Sequence, residues 1–268
     1  MASAPAPALA FSHVTKRFPA PAGGRYTAID EVSFQVGASR FVSLVGPSGC
    51  GKSTVLNLAA GLTAPSSGGV EVFGVPLAGL NRRAGYMFQQ DALLPWKTVL
   101  DNVRLGPLLR GRARDEVEAA ARHWLARVGL GGFADHYPHQ LSGGMRKRVA
   151  MAQHWIANPD ILLMDEPFSA LDIHTRQRME GELLALWAES PTTVLFVTHD
   201  LEEAIALSDE VLVLSAGPGA RVVGRHAVDL PRPRDLIDIR TDGRFIEIYR
   251  TIWQDLRGEV LQSYERGA

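Results

Sequence analysis

The sequence lacks the features that mark several common classes of protein. Its 268 residues include a single cysteine, Cys50, so no internal disulfide can form and a reducing compartment, the cytoplasm, is expected. The longest uninterrupted apolar run, residues 183–188, has six residues, whereas a membrane-spanning helix needs about 18 or more. No lysine or arginine precedes an apolar stretch at the start of the chain, so a secretory signal peptide is not predicted.

A strong charge of either sign is also absent. The chain has 28 Lys and Arg against 29 Asp and Glu, a formal net charge of −1, so a nucleic-acid partner is not predicted. Hydrophobic residues at 46% and charged residues at 21% are typical of a globular protein that buries a core. The sequence has no internal repeat, and its length favours one large domain or one domain with a subdomain.

The pattern of apolar residues predicts an α/β core. Strand patterns, either alternating or apolar on both faces, occur at residues 32–36, 41–45, 161–164, 194–197 and 211–214. Helical spacing occurs at residues 101–157, 180–188 and 201–207. Because strands that are apolar on both faces alternate with helices, a parallel sheet is expected.

A complete phosphate-binding pattern follows the strand at residues 41–45. Residues 46–53 read GPSGCGKS and match G-x-x-x-x-G-K-[ST] without a mismatch, and a helix pattern follows at residues 53–60. Glycines let backbone N–H groups curl around an anion, and a helix N-terminus adds partial positive charge. Lys52 is predicted to reach the β- and γ-phosphates, and Ser53 to offer its hydroxyl to Mg²⁺.

Cys50 lies inside this loop, next to a lysine and near a helix N-terminus. Both neighbours favour the thiolate over the thiol. The sequence therefore predicts an accessible Cys50 thiol that a bound nucleotide protects, with a buried and inert cysteine as the alternative.

A second candidate group ends a later strand. The apolar residues 161–164 are followed by two carboxylates, Asp165 and Glu166. A buried strand delivers such side chains to the carboxyl edge of the sheet, where ligands bind in α/β folds. Asp165 is expected to hold Mg²⁺ through water and Glu166 to polarise the attacking water. The alternative is a solvated acidic turn.

A third candidate is an anion nest formed by Ser142, Gly143 and Gly144 at the start of a helix. The alternative is a plain N-cap, in which Ser142 caps a helix that runs to Ala157. Because residues 46–53 already bind phosphates, a second nest suggests a γ-phosphate held between two copies of the chain.

In their order and spacing, these motifs resemble those of the nucleotide-binding subunit of an ABC transporter over about residues 10–225. The matching elements are the loop at 46–53, Gln89 within YMFQ, LSGGM at 141–145, Asp165 with Glu166, SALD at 169–172, and His199. The resemblance implies a P-loop NTPase core with a parallel sheet, an N-terminal antiparallel β subdomain and an inserted α-helical subdomain at about residues 91–157. We expect a disordered lead at residues 1–9, an ATPase domain at 10–225 and a helical tail at 226–268.

Further roles follow from the resemblance. It implies that His199 contacts the γ-phosphate and steadies Glu166, and that Gln89 touches Mg²⁺ and reports nucleotide state to a membrane partner. Asp172 is expected to act across a dimer interface. The expected site residues are, for ATP, Phe18, Gly46, Pro47, Ser48, Gly49, Cys50, Gly51, Lys52, Ser53, Thr54, Gln89, Ser142, Gly143, Gly144 and Asp172; for Mg²⁺, Ser53, Gln89 and Asp165; and for catalysis, Glu166 and His199.

The aromatic residue that contacts adenine and the last residue of the LSGGM motif need separate comment. An aromatic residue before the sheet is expected to stack on adenine; Phe18 fits the spacing best, and Tyr26 is the alternative. Met145 stands where the family signature usually has glutamine, and a thioether makes no ordinary hydrogen bond. Activity is expected to survive this change because the serine and glycines of the nest remain.

The resemblance also points to one branch of the family. The LSGGMRKR run and the tail DLPRPRD at residues 229–235 are similar to the nitrate, sulfonate and taurine importers, and residues 93–103 resemble the coupling region of importer subunits. The alternative for the tail is a surface helix with a proline-rich lead.

These features imply the ATP-hydrolysing subunit of an importer for a small anion. It is expected to form a homodimer, to lie peripherally on the cytoplasmic face of the inner membrane, and to work with a separate permease and a periplasmic or surface substrate-binding protein. The alternatives are an exporter or lipid-transport subunit, a soluble non-transport ABC ATPase, and a P-loop kinase or GTPase in which LSGGM is accidental.

Overall fold

The secondary structure follows the alternating pattern of the sequence. The structure is a computed structural model that describes residues 6–20 and 23–267. In this part of the chain the strands are β1 (Leu9–Pro19), β2 (Arg25–Val36), β3 (Phe41–Val45), β4 (Ser67–Val72), β5 (Val75–Pro76), β6 (Ala84–Met87), β7 (Ile161–Asp165), β8 (Thr193–Val197), β9 (Glu210–Leu214) and β10 (Val222–Ala227). The helices are α1 (Lys52–Ala59), α2 (Val99–Leu109), α3 (Arg114–Arg127), α4 (Gly143–Ala157), α5 (Ile173–Glu189), α6 (Leu201–Leu207) and α7 (Gly243–Gly267). Within the same residues, none of these helices has both the length and the apolar composition needed to span a bilayer.

The central sheet has the strand order β10-β9-β3-β8-β7-β6. Strands β9, β3, β8, β7 and β6 run parallel, and β10 pairs antiparallel with β9 at one edge. Every residue of β3 and β8 is buried, as expected when both faces of a sheet are covered. The predicted parallel core is therefore confirmed, and the strand at residues 41–45 is confirmed residue for residue.

Two hydrophobic cores cover the two faces of this sheet. From β3, Phe41 and Val45 enter one core, which is filled mainly by the helices after β6. Val42 and Leu44 enter the other core, together with α1 and the N-terminal strands. Those strands form an antiparallel sheet of order β2-β1-β4-β5, as the predicted N-terminal subdomain requires.

The helical region between β6 and β7 is interrupted rather than continuous. Helix α2 ends before Gly111 and α3 ends before Gly129, and both glycines have left-handed backbones with φ of 79° and 72°. Glycine adopts this conformation without a steric penalty and commonly ends helices. The stretch predicted as helical at residues 101–157 therefore folds as α2, α3 and α4.

The tail packs back on the core of the protein. Leu230, Leu236, Phe245 and Ile252 are buried in the core that contains Phe41. Helix α7 contacts α6, β9 and β10. The boundary expected after residue 225 falls inside β10, because this strand completes the edge of the central sheet by pairing with β9.

The start of the chain is ordered earlier than expected. Strand β1 begins at Leu9, Ala8 is fully buried, and the Ala8 N–H donates to Val36 O at 2.8 Å. This hydrogen bond and burial correct the disordered lead expected at residues 1–9. Its residues 1–5 lie outside the described residues.

A methyl group added at Gly61 would clash with the backbone, whereas one added at Gly181 would not. Gly61 has φ of 68°, and a Cβ there would lie 1.9 Å from Gly79 O, whereas a Cβ on Gly181 inside α5 would meet nothing within 4 Å. We expect Gly61→Ala to lower the free energy of unfolding by about 2 kcal/mol or more. Gly181→Ala, the matched control, is expected to raise it by ~0.5–1 kcal/mol, because alanine favours helix interiors. Urea unfolding measures both, and equal effects would contradict the backbone described here.

Candidate functional site

The loop after β3 has the shape of an anion cradle. Gly49 and Gly51 have φ of 75° and 107°, conformations that other residues adopt only with strain. A Cβ on Gly51 would lie 2.7 Å from Ile29 Cγ2, and a Cβ on Gly46 would lie 2.9 Å from Leu214 O. The loop therefore requires glycine for both conformation and close packing, and it leads directly into the N-terminus of α1, where Lys52, Ser53 and Thr54 lie.

The ammonium group of Lys52 lies beneath this loop. The side chain is buried, and Nζ donates to Gly46 O at 2.8 Å and to Pro47 O at 3.0 Å. An ammonium group has three N–H donors, so these two bonds fix its position and leave a third donor for an anion. Ser48 and Gly49 are exposed at the tip of the loop, where an anion can approach.

The end of β7 meets the start of α1. Ser53 Oγ donates to Asp165 Oδ1 at 3.1 Å, and Tyr86 Oη donates to Asp165 Oδ2 at 3.3 Å. Burial raises the pKa of the Asp165 carboxyl, and the hydrogen bonds from Ser53 and Tyr86 oppose that rise. A hydroxyl and a carboxylate are hard oxygen donors of the kind that Mg²⁺ prefers, so the residues present fit this ion.

Tyr86 is a site residue that the sequence did not single out. Its pKa is raised because its hydroxyl is buried and lies beside Asp165. The available signal was its position in β6, three residues before Gln89, because β6 runs parallel to β7 and must end at the same edge of the sheet.

Glu166 and His199 form a pair beside this edge. His199 Nδ1 lies 3.0 Å from Glu166 Oε2, and the imidazole is 54% exposed. Glu166 has φ of 43°, and its N–H donates to Val197 O at 2.9 Å. A non-glycine residue in this conformation is strained, and such strain clusters at functional sites. The expected contact between Glu166 and His199 is thus present in the geometry.

Gln89 is tied to the helix that starts at the LSGGM motif. Its Nε2 donates to Ser169 Oγ at 3.4 Å, and its backbone oxygen accepts from Lys147 Nζ at 2.7 Å. Lys147 is buried and also pairs with Asp91 at 3.0 Å. The roles of Asp91 and Lys147 in this link were not predicted, because the two residues lie 56 positions apart in the sequence.

Ser142 is the N-cap of α4, so the plain capping interaction is present. Its Oγ accepts from the backbone N–H of Met145 at 3.3 Å, which does not depend on the Met145 side chain. A Cβ on Gly144 would lie 3.0 Å from Thr175 Cγ2. Ser142 is exposed at this helix start, and the nest expected from its glycines lies beside the first turn of α5.

Asp172 is the N-cap of α5. Its Oδ1 accepts from the Thr175 N–H at 3.0 Å, and hydrogen bonding to the side chain and then to the backbone of Thr175 lowers the pKa of the Asp172 carboxyl. The side chain is exposed, so the geometry leaves it accessible to a second chain.

Phe18 and Tyr26 lie opposite each other on β1 and β2. Both rings are partly exposed, at 36% and 42%, and Tyr26 lines an open cleft together with Pro218 and Gly219. Gly217, next to this cleft, packs against the phosphate loop, since a Cβ there would lie 3.2 Å from Gly49 O. The cross-strand pairing therefore brings the two candidate aromatic residues together, and Tyr26 lines the cleft next to the loop.

The prediction of an accessible Cys50 thiolate is wrong. The side chain is fully buried, and burial raises the pKa of the thiol despite the nearby Lys52. The Cys50 side chain packs in the core with Val55 and Leu56, so only its backbone can face an anion in the loop.

Comparison with known proteins agrees with these motifs. The family model described as ABC transporter matches residues 29–169. An uncharacterized ABC transporter ATP-binding protein of Methanocaldococcus jannaschii is 45% identical over 241 residues, which cover 90% of this chain and 88% of that protein. A taurine import ATP-binding protein of Burkholderia thailandensis is 44% identical over 241 residues, or 88% of this chain and 92% of that protein.

Other relatives include a nitrate importer protein and a solved dimer. The nitrate import ATP-binding protein of Synechococcus elongatus is 41% identical over 255 residues, which cover 94% of this chain and 38% of that longer protein. A dimeric ATP-binding cassette in a post-hydrolysis state, bound to ADP and Pi, is 33% identical. It superposes with a TM-score of 0.73 and covers 83% of this chain and 100% of its own.

The burial of Cys50 predicts slow thiol labelling. We expect a maleimide to react with the native protein at least roughly 100-fold more slowly than with the urea-unfolded chain, because the reaction requires local opening. The unfolded chain is the matched control, since Cys50 is the single cysteine. Complete labelling of the native protein at the unfolded rate would contradict the buried side chain.

Proposed function

Because the chain belongs to the ABC transporter family, we propose that it is the ATP-hydrolysing subunit of an importer for a small anion of the nitrate, sulfonate or taurine type. ATP hydrolysis coupled to transport is the activity of the family. The proposed class of cargo, a small anion, is inferred from relatives whose names give taurine or nitrate import. The strongest support for the chemistry is the convergence of Lys52, Asp165 and Glu166 at one edge of the parallel sheet.

ATP is proposed to bind with its phosphates on the loop at residues 46–54. The backbone N–H groups and Lys52 stabilise the phosphate oxygens. The aromatic ring proposed to stack on adenine is that of Phe18, with Tyr26 as the alternative. Ser53, Asp165 and Gln89 would hold Mg²⁺, which supplies positive charge against the phosphate oxygens. For this role Gln89 would exchange its 3.4 Å bond to Ser169 for the ion.

Glu166 is proposed as the general base for hydrolysis. Its carboxylate accepts hydrogen bonds and polarises the water that attacks the γ-phosphate, while His199 holds the carboxylate through Nδ1. The His199 side chain is 54% exposed, and its second ring nitrogen is proposed to contact the γ-phosphate. The bond from the Glu166 N–H to Val197 O holds this residue at the edge of the sheet despite its strained backbone.

A second copy of the chain is proposed to complete each site. The nest formed by the exposed Ser142 and the half-buried Gly143 and Gly144 then caps the γ-phosphate bound by the partner, in a two-fold arrangement. Asp172 is also exposed, at the N-cap of α5, and is proposed to act across the same interface. The solved relative that is dimeric and bound to ADP and Pi supports this arrangement.

The helical region is proposed to dock a separate membrane permease. The Asn102 side chain, almost fully buried, accepts from Leu94 N and donates to the carbonyls of Lys97 and Thr98. These bonds fix a loop that leaves Trp96 71% exposed, close in sequence to Gln89. The protein is proposed to lie peripherally on the cytoplasmic face of the membrane, with a substrate-binding protein on the other side and with no nucleic acid.

Replacement of the general base is expected to trap a closed dimer. Glu166→Gln keeps the size of the side chain and removes its basicity, so ATP binding survives and hydrolysis falls by about 100-fold or more. Light scattering after size exclusion should then show a species of twice 29.1 kDa when ATP is present.

The nest provides the control for this trapped dimer. Adding Ser142→Arg is expected to abolish it, because a bulky side chain fills the nest, whereas Ser190→Arg at the exposed far end of α5 should leave it intact. A dimer that forms equally well without ATP, or that ignores Ser142→Arg, would contradict the composite site.

A further inference from the structure

The tail motif at residues 229–235 contains two arginines, Arg232 and Arg234, that the proposed chemistry does not use. Neither contacts the phosphate loop in the structure; both reach α6 instead. This helix begins two residues after His199, with Asp200 as its N-cap. The tail is therefore joined to the residue that pairs with Glu166.

Helix α6 depends on its neighbours for its position. It has seven residues, about two turns, and a helix of that length is not stable by itself in water. The last carbonyl groups of any helix lack partners within the helix, so they need donors from elsewhere.

The two arginines supply those donors. The Arg234 guanidinium donates to Ile205 O at 3.1 Å, Ala206 O at 3.0 Å and Ser208 O at 2.8 Å. The remaining carbonyl, Leu207 O, accepts from Arg232 at 2.7 Å. Each carbonyl from 205 to 208 is thus bonded to a tail arginine.

Charge strengthens this contact. Burial lowers the pKa of Arg234 to about 10, so the side chain is still a cation at neutral pH. A cation at a helix C-terminus is favoured by the partial negative charge of the helix dipole. Charged donors also form stronger hydrogen bonds than neutral ones.

Arg232 joins this end of α6 to the central sheet. It donates to Asp209 Oδ1 at 2.9 Å, and the other oxygen of Asp209 accepts from the Phe41 N–H at 2.9 Å. The Arg232 guanidinium also lies 4.4 Å from the ring centre of Trp187 in α5. Strand β3, helix α5 and helix α6 therefore meet at one arginine.

The opposite end of α6 is held independently. Asp200 accepts from the N–H groups of Glu202 and Glu203 at 2.9 and 3.1 Å and from Arg176 at 3.3 Å. Six of the seven residues of α6 are buried, and the helix packs on β3, α5 and α7, so the arginine bonds add to this packing at the C-terminal end.

We propose that Arg232 and Arg234 form a clamp, the tail clamp, that holds α6 and thereby positions His199 against Glu166 for ATP hydrolysis. The proposal rests on the role proposed above for His199. The two arginines are positioning residues, since they act through α6. Loss of the clamp leaves the C-terminal end of α6 held by packing alone, and the 3.0 Å contact between His199 and Glu166 is then expected to lengthen.

The test compares Arg234→Gln with Arg234→Lys in the full chain. Glutamine removes the charge and the planar fork, so kcat for ATP hydrolysis is expected to fall by about 10-fold or more, because small displacements at a reacting centre are costly. ATP affinity should stay within about twofold, because the phosphate loop is untouched. Lysine keeps the charge but bonds fewer carbonyls, so it should restore kcat in part.

The matched control is Arg244→Gln, also in the tail. Arg244 pairs with Asp229, and both side chains are more than half exposed. This ion pair does not include a residue of α6. This variant should keep its kcat within about twofold of the original, as expected for an exposed ion pair. A fall equal to that of Arg234→Gln would overturn the clamp.

A double-mutant cycle tests whether the clamp acts through His199. In a His199→Ala chain, Arg234→Gln should cause less than about a twofold further loss in single-turnover hydrolysis, because coupled residues are not additive. A further loss as large as that in the original chain would overturn the proposal. If Arg234→Gln does not fold, as judged by circular dichroism, the cycle with Arg234→Lys decides by the same criterion.

The outcomes separate the clamp from the proposed catalytic role. Full activity in His199→Ala would overturn the role of His199 and the clamp together. Inactivity in His199→Ala with unchanged kcat in Arg234→Gln and Arg234→Lys would overturn the clamp alone.

Discussion

The alignment of three parallel strands is the constraint on which the site depends. Strand β8 lies between β3 and β7, so Leu44 and Asp165 both lie level with Val197. The residues that follow each strand must then meet at one edge of the sheet: the phosphate loop after β3, Glu166 after β7 and His199 after β8. Parallel pairing thus turns segments more than 100 residues apart into neighbours, and the 3.1 Å bond from Ser53 to Asp165 joins them directly.

The same constraint explains why much of the site could be predicted. The apolar segments before Gly46 and Asp165 indicate buried strands from sequence alone, and parallel strands deliver their carboxyl ends to one edge. The phosphate loop has a local pattern in which glycine is required by the backbone, as the left-handed Gly49 and Gly51 illustrate. Roles that depend on one strand end or one turn are therefore accessible to sequence analysis.

Features that depend on packing between distant segments could not be predicted in this way. Cys50 has neighbours in sequence that favour a thiolate, but the turn directs its side chain into the core, where burial dominates the pKa. Lys147 lies in a helical pattern, and only the fold brings it to Gln89. The tail motif is a recognisable sequence pattern, but the contacts of Arg232 and Arg234 with α6 depend on how the segment after β10 folds back onto the core. The boundary expected at residue 225 lies within β10, which pairs with β9.

The central claim is that each ATP site joins the phosphate loop of one chain to the Ser142 nest of another. Thiol cross-linking tests it most directly: in a Cys50→Ala, Glu166→Gln background, one chain carries Ser48→Cys and the other Ser142→Cys, both at exposed positions. A short bifunctional maleimide should join the two different chains in the presence of ATP and much less without it. A cross-link that forms within a single chain carrying both cysteines, or whose yield between chains is independent of ATP, would contradict the account.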